Sequence, residues 1–391
     1  MDPTSRWHAS LPGELLVGPG SRYDLAGLLP ETRVLVVVSR STADLVGDLL
    51  PSHAGEVARV VVHGEPVLDE VAAEVARVRP AGAEVVLAVG GGSVLDTGKA
   101  LAAFLPNDRY APRDHLEVVG AGHPLQVPPL PVVALPTTAG TGAEATHNAV
   151  LAVPDAARKV SLRDRRLTPR AAVVDPDLGR DVPHHVAVAA GLDAAVQLVE
   201  AAASPLATPL STMVAMEGAA AALPALDRLV QGAATEADRT ALAYGALLSG
   251  IALANGKLGT IHGFAGVLGG HRDLAHGALC GWFAAPVLRA TIAELRGQAA
   301  GGDTAAVLAL DRYGQLADLT TDARPDAGAQ PEDLAGWFDR LVGDADLPRL
   351  DLTGLPVDEV VTAVQEASST KGNPVTLQPT VLRDLLVDLT D

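Results

Sequence analysis

The chain has 391 residues, enough for two domains or one large one and for a substantial buried core. Its net charge of -18 argues against nucleic acid or an anionic membrane as partner, since either would repel the molecule as a whole. Apolar residues make up 48 % of it, yet no uninterrupted apolar run reaches the roughly eighteen residues of a spanning helix, so no membrane span is expected. The opening MDPTSRWHASLPGE lacks a basic region followed by an apolar one, which argues against a secretory signal. One cysteine, Cys280, permits no intramolecular disulfide and fits a reducing cytoplasm; a small buried hydrophobe is its ordinary role.

Residues 1 to 30 hold an extended segment ending in LLVGPGSRYDLAGLL, where Gly18, Pro19 and Gly20 mark a turn before a short helix. RVLVVVS, Arg33 to Ser39, is a continuous apolar run of the kind a strand covered on both faces requires. Residues 41 to 51 read as a helix, Val57 to His63 as a strand, and LDEVAAEVARVRPAGA as a crossover helix. Next comes EVVLAVGGGSVLDTGKALA, 84 to 102, a strand running into Gly90, Gly91 and Gly92 with a helix predicted from Ser93. Glycines there let backbone N–H groups approach a ligand, and the first helical turn favours a phosphate, with Ser93 as candidate cap. The spacing matches neither G-x-G-x-x-G nor a Walker A loop.

An irregular patch from Pro106 to Leu130 precedes a strand beginning at Pro131. That strand ends in TTAGTGAEATHNAV, where Thr137, Thr138, Gly140, Thr141 and Gly142 gather hydroxyls and free amides at a second turn. Two such turns at neighbouring strand ends suit a ligand with more than one phosphate or ribose. RKVSLRDRRLTPR follows, and Ala171 to Asp175 reads as the last strand of a parallel α/β sheet. From Pro183 the texture is Ala- and Leu-rich and helical, so a boundary near 180 gives an α/β domain, 1–180, and an all-helical one, 181–391. A cleft between such halves is the default site. In the helical half, Asp193 and Gln197 share a helical face, and His262, His271 and His276 follow. A carboxylate with two imidazoles suits Zn²⁺ or Fe²⁺, while scattered surface histidines and a helix-capping Asp193 are the ordinary alternatives.

GGGSVLDTGKA (90–100), LPTTAGTGAEAT (135–146), DPDL (175–178), GLDAAVQLVE (191–200) and the segment His262 to Gly277 together resemble the iron-containing, or group III, alcohol dehydrogenase family. The resemblance implies a Rossmann-like N-terminal dinucleotide-binding domain with a parallel sheet and an all-α C-terminal domain, an architecture shared with the dehydroquinate synthases. It also implies nicotinamide-dependent interconversion of alcohols with aldehydes or ketones, and a homodimer. It assigns the pyrophosphate to Gly91, Gly92 and Ser93, supported by Asp96 and Lys99. The nicotinamide end falls to Thr137, Thr138 and Thr141, ribose or phosphate to Lys159, and adenosine packing to Leu178. Asp193, His262 and His276 fall on three of four metal ligands, and the fourth, a histidine in the family, is Gln197.

A second departure is Gly266, where the family carries the histidine that relays the proton of the alcohol oxygen. A neutral amide is a poorer ligand than imidazole, which leaves weak, altered or absent metal binding as alternatives. The resembling maleylacetate reductases form a branch without the metal; there imidazolium groups such as His262 and His276 would steady the alkoxide, and His271 is a stand-in proton donor. Ser39 and Arg40, where an acidic residue would hold the ribose 2′-hydroxyl, point to NADP(H) over NAD(H). Two other readings remain at this point, a lyase or cyclase of dehydroquinate-synthase type and a nucleotide-binding protein without catalysis. Arg163, Arg165, Arg166 and Arg272 are candidate anion binders that spacing does not place.

Overall fold

The computed structural model describes residues 6–29, 32–156, 158–271, 274–320 and 328–389; Arg272 lies outside them. Contacts divide the chain into two units, Ser10–Val182 and one made up mainly of Pro183–Asp391. The first contains β1 (Glu14–Val17), β2 (Arg33–Ser39), α1 (Val46–Leu49), β3 (Gly55–Val62), α2 (Leu68–Val78), β4 (Val85–Gly90) and α3 (Gly92–Phe104). It continues with β5 (Val132–Pro136), β6 (Asn148–Val153), β7 (Arg158–Arg163) and β8 (Ala171–Val174).

Six strands form a parallel sheet in the order β1-β8-β5-β4-β2-β3. Alternate residues of β2 and β4 feed two separate apolar layers, which is why both strands read as unbroken apolar runs. Leu35, Val37, Val86 and Ala88 pack with Val71 and Val75 of α2 and with Leu101 of α3. Val34, Val36, Leu87 and Val89 pack on the other side with Leu25 and Leu29.

Three local expectations change. Residues 41 to 45 form turns, and only the four residues of α1 are α-helical. α3 starts at Gly92 rather than Ser93, with Gly91 as the extended N-cap residue and no side-chain cap bond among the described residues. Ser93 therefore sits inside the first turn, where its carbonyl accepts from Thr97 Oγ1 at 2.8 Å, and the cap reading fails. The third change is an antiparallel hairpin, β6 with β7, that the RKVSLR stretch does not announce.

The second unit is helical: α4 (His184–Ala203), α5 (Pro209–Val230), α6 (Glu236–Gly256), α7 (Thr260–His271), α8 (His276–Ala300), α9 (Thr304–Asp318), α10 (Pro331–Asp344), α11 (Val357–Glu366) and α12 (Pro379–Asp388). α4 is the central helix, packed by α5, α6 and α8, and buried from Gly191 through Ala203. Threonine caps start its neighbours: Thr208 and Ser211 cap α5 reciprocally, as Thr235 and Asp238 cap α6. By length and composition α4, α5 and α8 could each cross a membrane, although polar residues such as Asp193, Glu217 and Arg289 interrupt their apolar runs. In the fold, 83 % of the most apolar stretch of α4 and 67 % of that of α8 are buried, against 44 % for α5.

Candidate active site

In the α/β unit the polar turns lie side by side at the carboxyl ends of β2, β4 and β5. Gly90 of β4 is in register with Pro136 of β5, and Thr137 N–H donates to the Gly90 carbonyl at 3.0 Å. The two turns touch: a Cβ on Gly91 would lie 3.4 Å from Thr138 Oγ1, and one on Gly92 2.7 Å from Thr141 Cγ2. At Gly92 the approach of Thr141 leaves no room for a Cβ, whereas one at Gly91 would make only ordinary contact with Thr138. On the opposite side, Thr42 Oγ1 donates to the Val89 carbonyl at 2.7 Å and accepts from Ser39 N–H at 2.9 Å. The chain leaves β2 for β3 on one side and β4 for β5 on the other, so these turns flank a switch point of the sheet. Arg40 is exposed beside them.

Asp96 and Lys99 act behind this edge. Lys99 is buried and donates from Nζ to the Ala143 carbonyl and Thr146 Oγ1, each at 3.0 Å, and to the Asn148 carbonyl. Asp96 pairs with Lys99 at 2.9 Å and accepts from Val150 N–H at 3.0 Å, so the pair pins the threonine turn and β6 to α3. Glu144, buried in that turn, has its carboxyl pushed up by burial to about 7, against the pull of Lys99. Lys159 pairs with Glu65 at 2.6 Å, and Leu178 packs at the edge of the β2 layer. Arg166 forks onto Asp164, while Arg163 and Arg165 are exposed.

In the helical unit α4, α7 and α8 bring four donors together. Asp193 Oδ1 lies 3.2 Å from His262 Nε2, 3.8 Å from His276 Nε2 and 3.8 Å from Cys280 Sγ. Cys280 Sγ is 3.7 Å from His262 Nε2, and all four donor atoms fall within 4.8 Å of one another. Gly277 makes this approach possible, because a Cβ there would overlap the Ala189 carbonyl of α4. Cys280 is thus more than a buried hydrophobe, although it is buried.

Glu200 holds the imidazole of His262. Its Oε2 accepts from His262 Nδ1 at 2.7 Å and its Oε1 from Ile261 N–H at 2.7 Å, which turns His262 Nε2 toward Asp193. Gln197 donates from Nε2 to Asp193 Oδ1 at 3.0 Å, and its Oε1 accepts from Ser249 Oγ at 2.7 Å.

Burial raises the Asp193 carboxyl, but His276 and His262 outweigh it and hold it below its ordinary value. Burial lowers both imidazoles, and Cys280 and Asp193 nevertheless raise them, His262 most. The Cys280 thiol, raised by burial, is drawn down by the two histidines. The N, O and S donors, once the imidazoles and the thiol give up their protons, fit Zn²⁺ or Fe²⁺. Only His276 is substantially open, its side chain 36 % exposed, so the cluster has one accessible side. His271 ends α7 nine residues after His262, about half a turn around the helix axis from it. At Gly266 a Cβ would meet nothing within 4 Å among the described residues.

Residues 12–176 match the family described as iron-containing alcohol dehydrogenase, and residues 187–386 the C-terminal domain of the same family. The chain belongs to the iron-containing alcohol dehydrogenase family. Its relatives include a probable alcohol dehydrogenase EutG of Escherichia coli, 35 % identical over 55 % of this chain and 53 % of that protein. An NAD-dependent methanol dehydrogenase of Bacillus methanolicus is 32 % identical over 64 % of this chain and 68 % of its own. The chain therefore spans about half the length of the first and two thirds of the second. The fold is that of a solved 1,3-propanediol oxidoreductase, with a TM-score of 0.84 at 22 % identity over 98 % of this chain and all of that one. Against the family pattern, Glu200, Thr42 and Cys280 are the residues that sequence reasoning did not assign. Glu200 and Cys280 were within reach of helical spacing, seven residues after Asp193 and four after His276.

Proposed function

We propose that the protein is a nicotinamide-dependent oxidoreductase interconverting a small alcohol with its aldehyde or ketone. The observation that carries this is the convergence of Asp193, His262, His276 and Cys280 in a chain of this family. When bound, the nucleotide supplies or accepts hydride at carbon, and a divalent metal polarises the oxygen of that carbon. The chain's own groups do the rest. Backbone N–H groups of Gly92 and Ser93, at the start of α3, receive the pyrophosphate, and Thr137, Thr138 and Thr141 hold the nicotinamide end. Asp96 and Lys99 fix the threonine turn from behind. Glu200 keeps a proton on His262 Nδ1, so that Nε2 presents its lone pair to the cluster.

The proton for the developing alkoxide enters through the open space at Gly266, carried by water, since His271 lies on the face of α7 opposite His262. Arg40, next to Ser39, supports NADP(H) as the preferred nucleotide. Lys159 and Leu178 complete the proposed nucleotide contacts, Lys159 only after exchanging its Glu65 partner. A homodimer and a cytoplasmic location are part of the same reading, as is the absence of nucleic acid and membrane partners, which the charge of -18 supports.

The test is NADPH and NADH oxidation against a panel of short aldehydes and ketones, with protein loaded with Zn²⁺ or Fe²⁺. Stoichiometric net turnover of nucleotide supports the proposal. Substrate conversion without net nucleotide consumption would favour the cyclase reading, and tight nucleotide binding without any conversion the non-catalytic one.

A further inference from the structure

We infer that Cys280 supplies the fourth metal ligand, in the role that the family histidine replaced by Gln197 would otherwise fill. The inference rests on the metal-assisted reading above and extends it to a residue outside the expected ligand set.

The geometry makes the case in three steps. His276 and Cys280 are four residues apart in the first turns of α8, so both project from one face of that helix. Metal–nitrogen and metal–oxygen bonds of about 2.05 Å and metal–sulfur bonds of about 2.3 Å give tetrahedral edges of about 3.3 Å between N and O donors and about 3.6 Å to sulfur. The observed separations are 3.2 and 3.8 Å from Asp193 Oδ1 to the two imidazole nitrogens, and 3.7 and 3.8 Å from Sγ to His262 Nε2 and Asp193 Oδ1. These four of the six separations thus lie within about half an ångström of the edges of a zinc-sized tetrahedron, and all six are within 4.8 Å.

Gln197 is engaged elsewhere. Its NH₂ donates to Asp193 and its carbonyl oxygen accepts from Ser249, so it orients the carboxylate and is a positioning residue. The competing arrangement turns this amide over: the NH₂ then donates to Ser249, whose hydroxyl keeps the Ala246 carbonyl as acceptor, and Oε1 faces the cation. It leaves Cys280 as a spectator with its sulfur 3.7 and 3.8 Å from two of the other donor atoms.

On binding, the thiol S–H bond breaks, its proton passes to solvent, and the sulfur lone pair forms the metal bond; nothing is oxidised or reduced. A thiolate adds one negative charge relative to a neutral histidine. As a soft ligand it moves the preference from Fe²⁺ toward Zn²⁺.

Because Cys280 is the chain's one cysteine, a thiolate signature can come from nowhere else. Chelator-stripped full-length protein is titrated with Co²⁺ and, separately, with Zn²⁺. We expect a near-ultraviolet sulfur-to-cobalt charge-transfer band in the wild type and in Gln197→Leu, and its loss in Cys280→Ser. X-ray absorption of the wild-type zinc form should show one sulfur neighbour at about 2.3 Å. Zn²⁺ affinity should fall by about ten-fold or more in Cys280→Ser, at least the loss that follows removal of an outer-shell partner. A zinc shell of nitrogen and oxygen alone in the wild type overturns the inference without touching the oxidoreductase reading, and needs no variant that might misfold. A wild type without a charge-transfer band, whose Zn²⁺ affinity falls in Gln197→Leu and is unchanged in Cys280→Ser, assigns the ligand role to the amide. Wild type that takes up neither ion removes the metal-assisted reading as well, leaving nucleotide turnover to be judged by the aldehyde panel.

Discussion

The two polar centres of this protein are made of different material. The rim of the sheet is built from backbone amides and short hydroxyls on consecutive residues, Gly90 to Ser93 and Thr137 to Thr141, each turn contiguous in the chain. The cluster of the helical unit is built from side chains on α4, α7 and α8, with 87 residues separating Asp193 from Cys280. The difference teaches that a site made of main chain is written locally, as a motif, whereas a site made of side chains is written in helical phase and becomes visible only when the helices are packed.

The largest effect that tests this division is Asp193→Asn. Removing the buried carboxylate that all three other donors approach should lower kcat/KM by about a thousand-fold, comparable with deleting a main electrostatic stabiliser, and should reduce bound metal. Nucleotide affinity, measured by calorimetry, should stay as in the wild type. A parallel loss of nucleotide binding would show that the centres are not separable.

How much of each was legible follows from the same distinction. β2, β4 and β5 could be read because strands buried on both faces leave continuous apolar runs, and both glycine and threonine turns followed from where those runs stop. The β6–β7 hairpin was missed because Val160 and Leu162, its inward residues, are flanked by Arg158, Lys159 and Arg163 in a stretch dominated by charge. Ser93 was read as a cap by residue type, yet the extended Gly91 takes the N-cap place one residue before α3 begins. In the cluster, Asp193, His262 and His276 owed their grouping to resemblance; spacing alone did not distinguish them from scattered histidines. Cys280 looked like core because Leu279 and its other neighbours are core, although its phase four residues after His276 placed it with the ligands. His271 misled in the opposite way: near in sequence, it is out of phase.

On the rim, two effects of similar size probe the main-chain character. Glu144 is the exception there, a carboxyl buried in a turn of small groups. Its folded value of about 7 lies above the unfolded 4.5, so the native state holds the proton more tightly. Stability from this group is therefore full below about pH 4.5, falls as pH rises through the window up to about 7, and stays reduced above it. Glu144→Gln should match the wild type in denaturant unfolding near pH 4 and exceed it by about 3.4 kcal/mol near pH 8.5. A difference that does not grow with pH would mean that Glu144 ionises at an ordinary value. Gly92→Val should raise the Kd for nicotinamide nucleotide by about a hundred-fold, roughly 2.7 kcal/mol, because its Cβ would stand 2.7 Å from Thr141 Cγ2. Metal content should be unchanged, the converse of Asp193→Asn.

The smallest effect concerns the rim's outer corner, where a side chain does decide the outcome. Ser39 ends β2, and its Oγ sits 2.9 Å from Ser41 Oγ and 3.0 Å from Thr42 Oγ1, a neutral hydroxyl group of three beside the exposed Arg40. Nothing in that triad repels a phosphate, and the arginine adds a positive fork at its edge. A carboxylate introduced by Ser39→Asp would instead accept from a ribose 2′-hydroxyl and repel a 2′-phosphate. The ratio of kcat/KM for NADPH to that for NADH should therefore fall by about ten-fold, near 1.4 kcal/mol, with kcat at saturating NADH little changed because the substitution is remote from the cluster in sequence and in role. Arg40→Ala should move the same ratio in the same direction without improving NADH. An unchanged preference in both variants would mean that the 2′ position is read elsewhere on the rim, and Lys159, freed from Glu65, would be the next cation to remove.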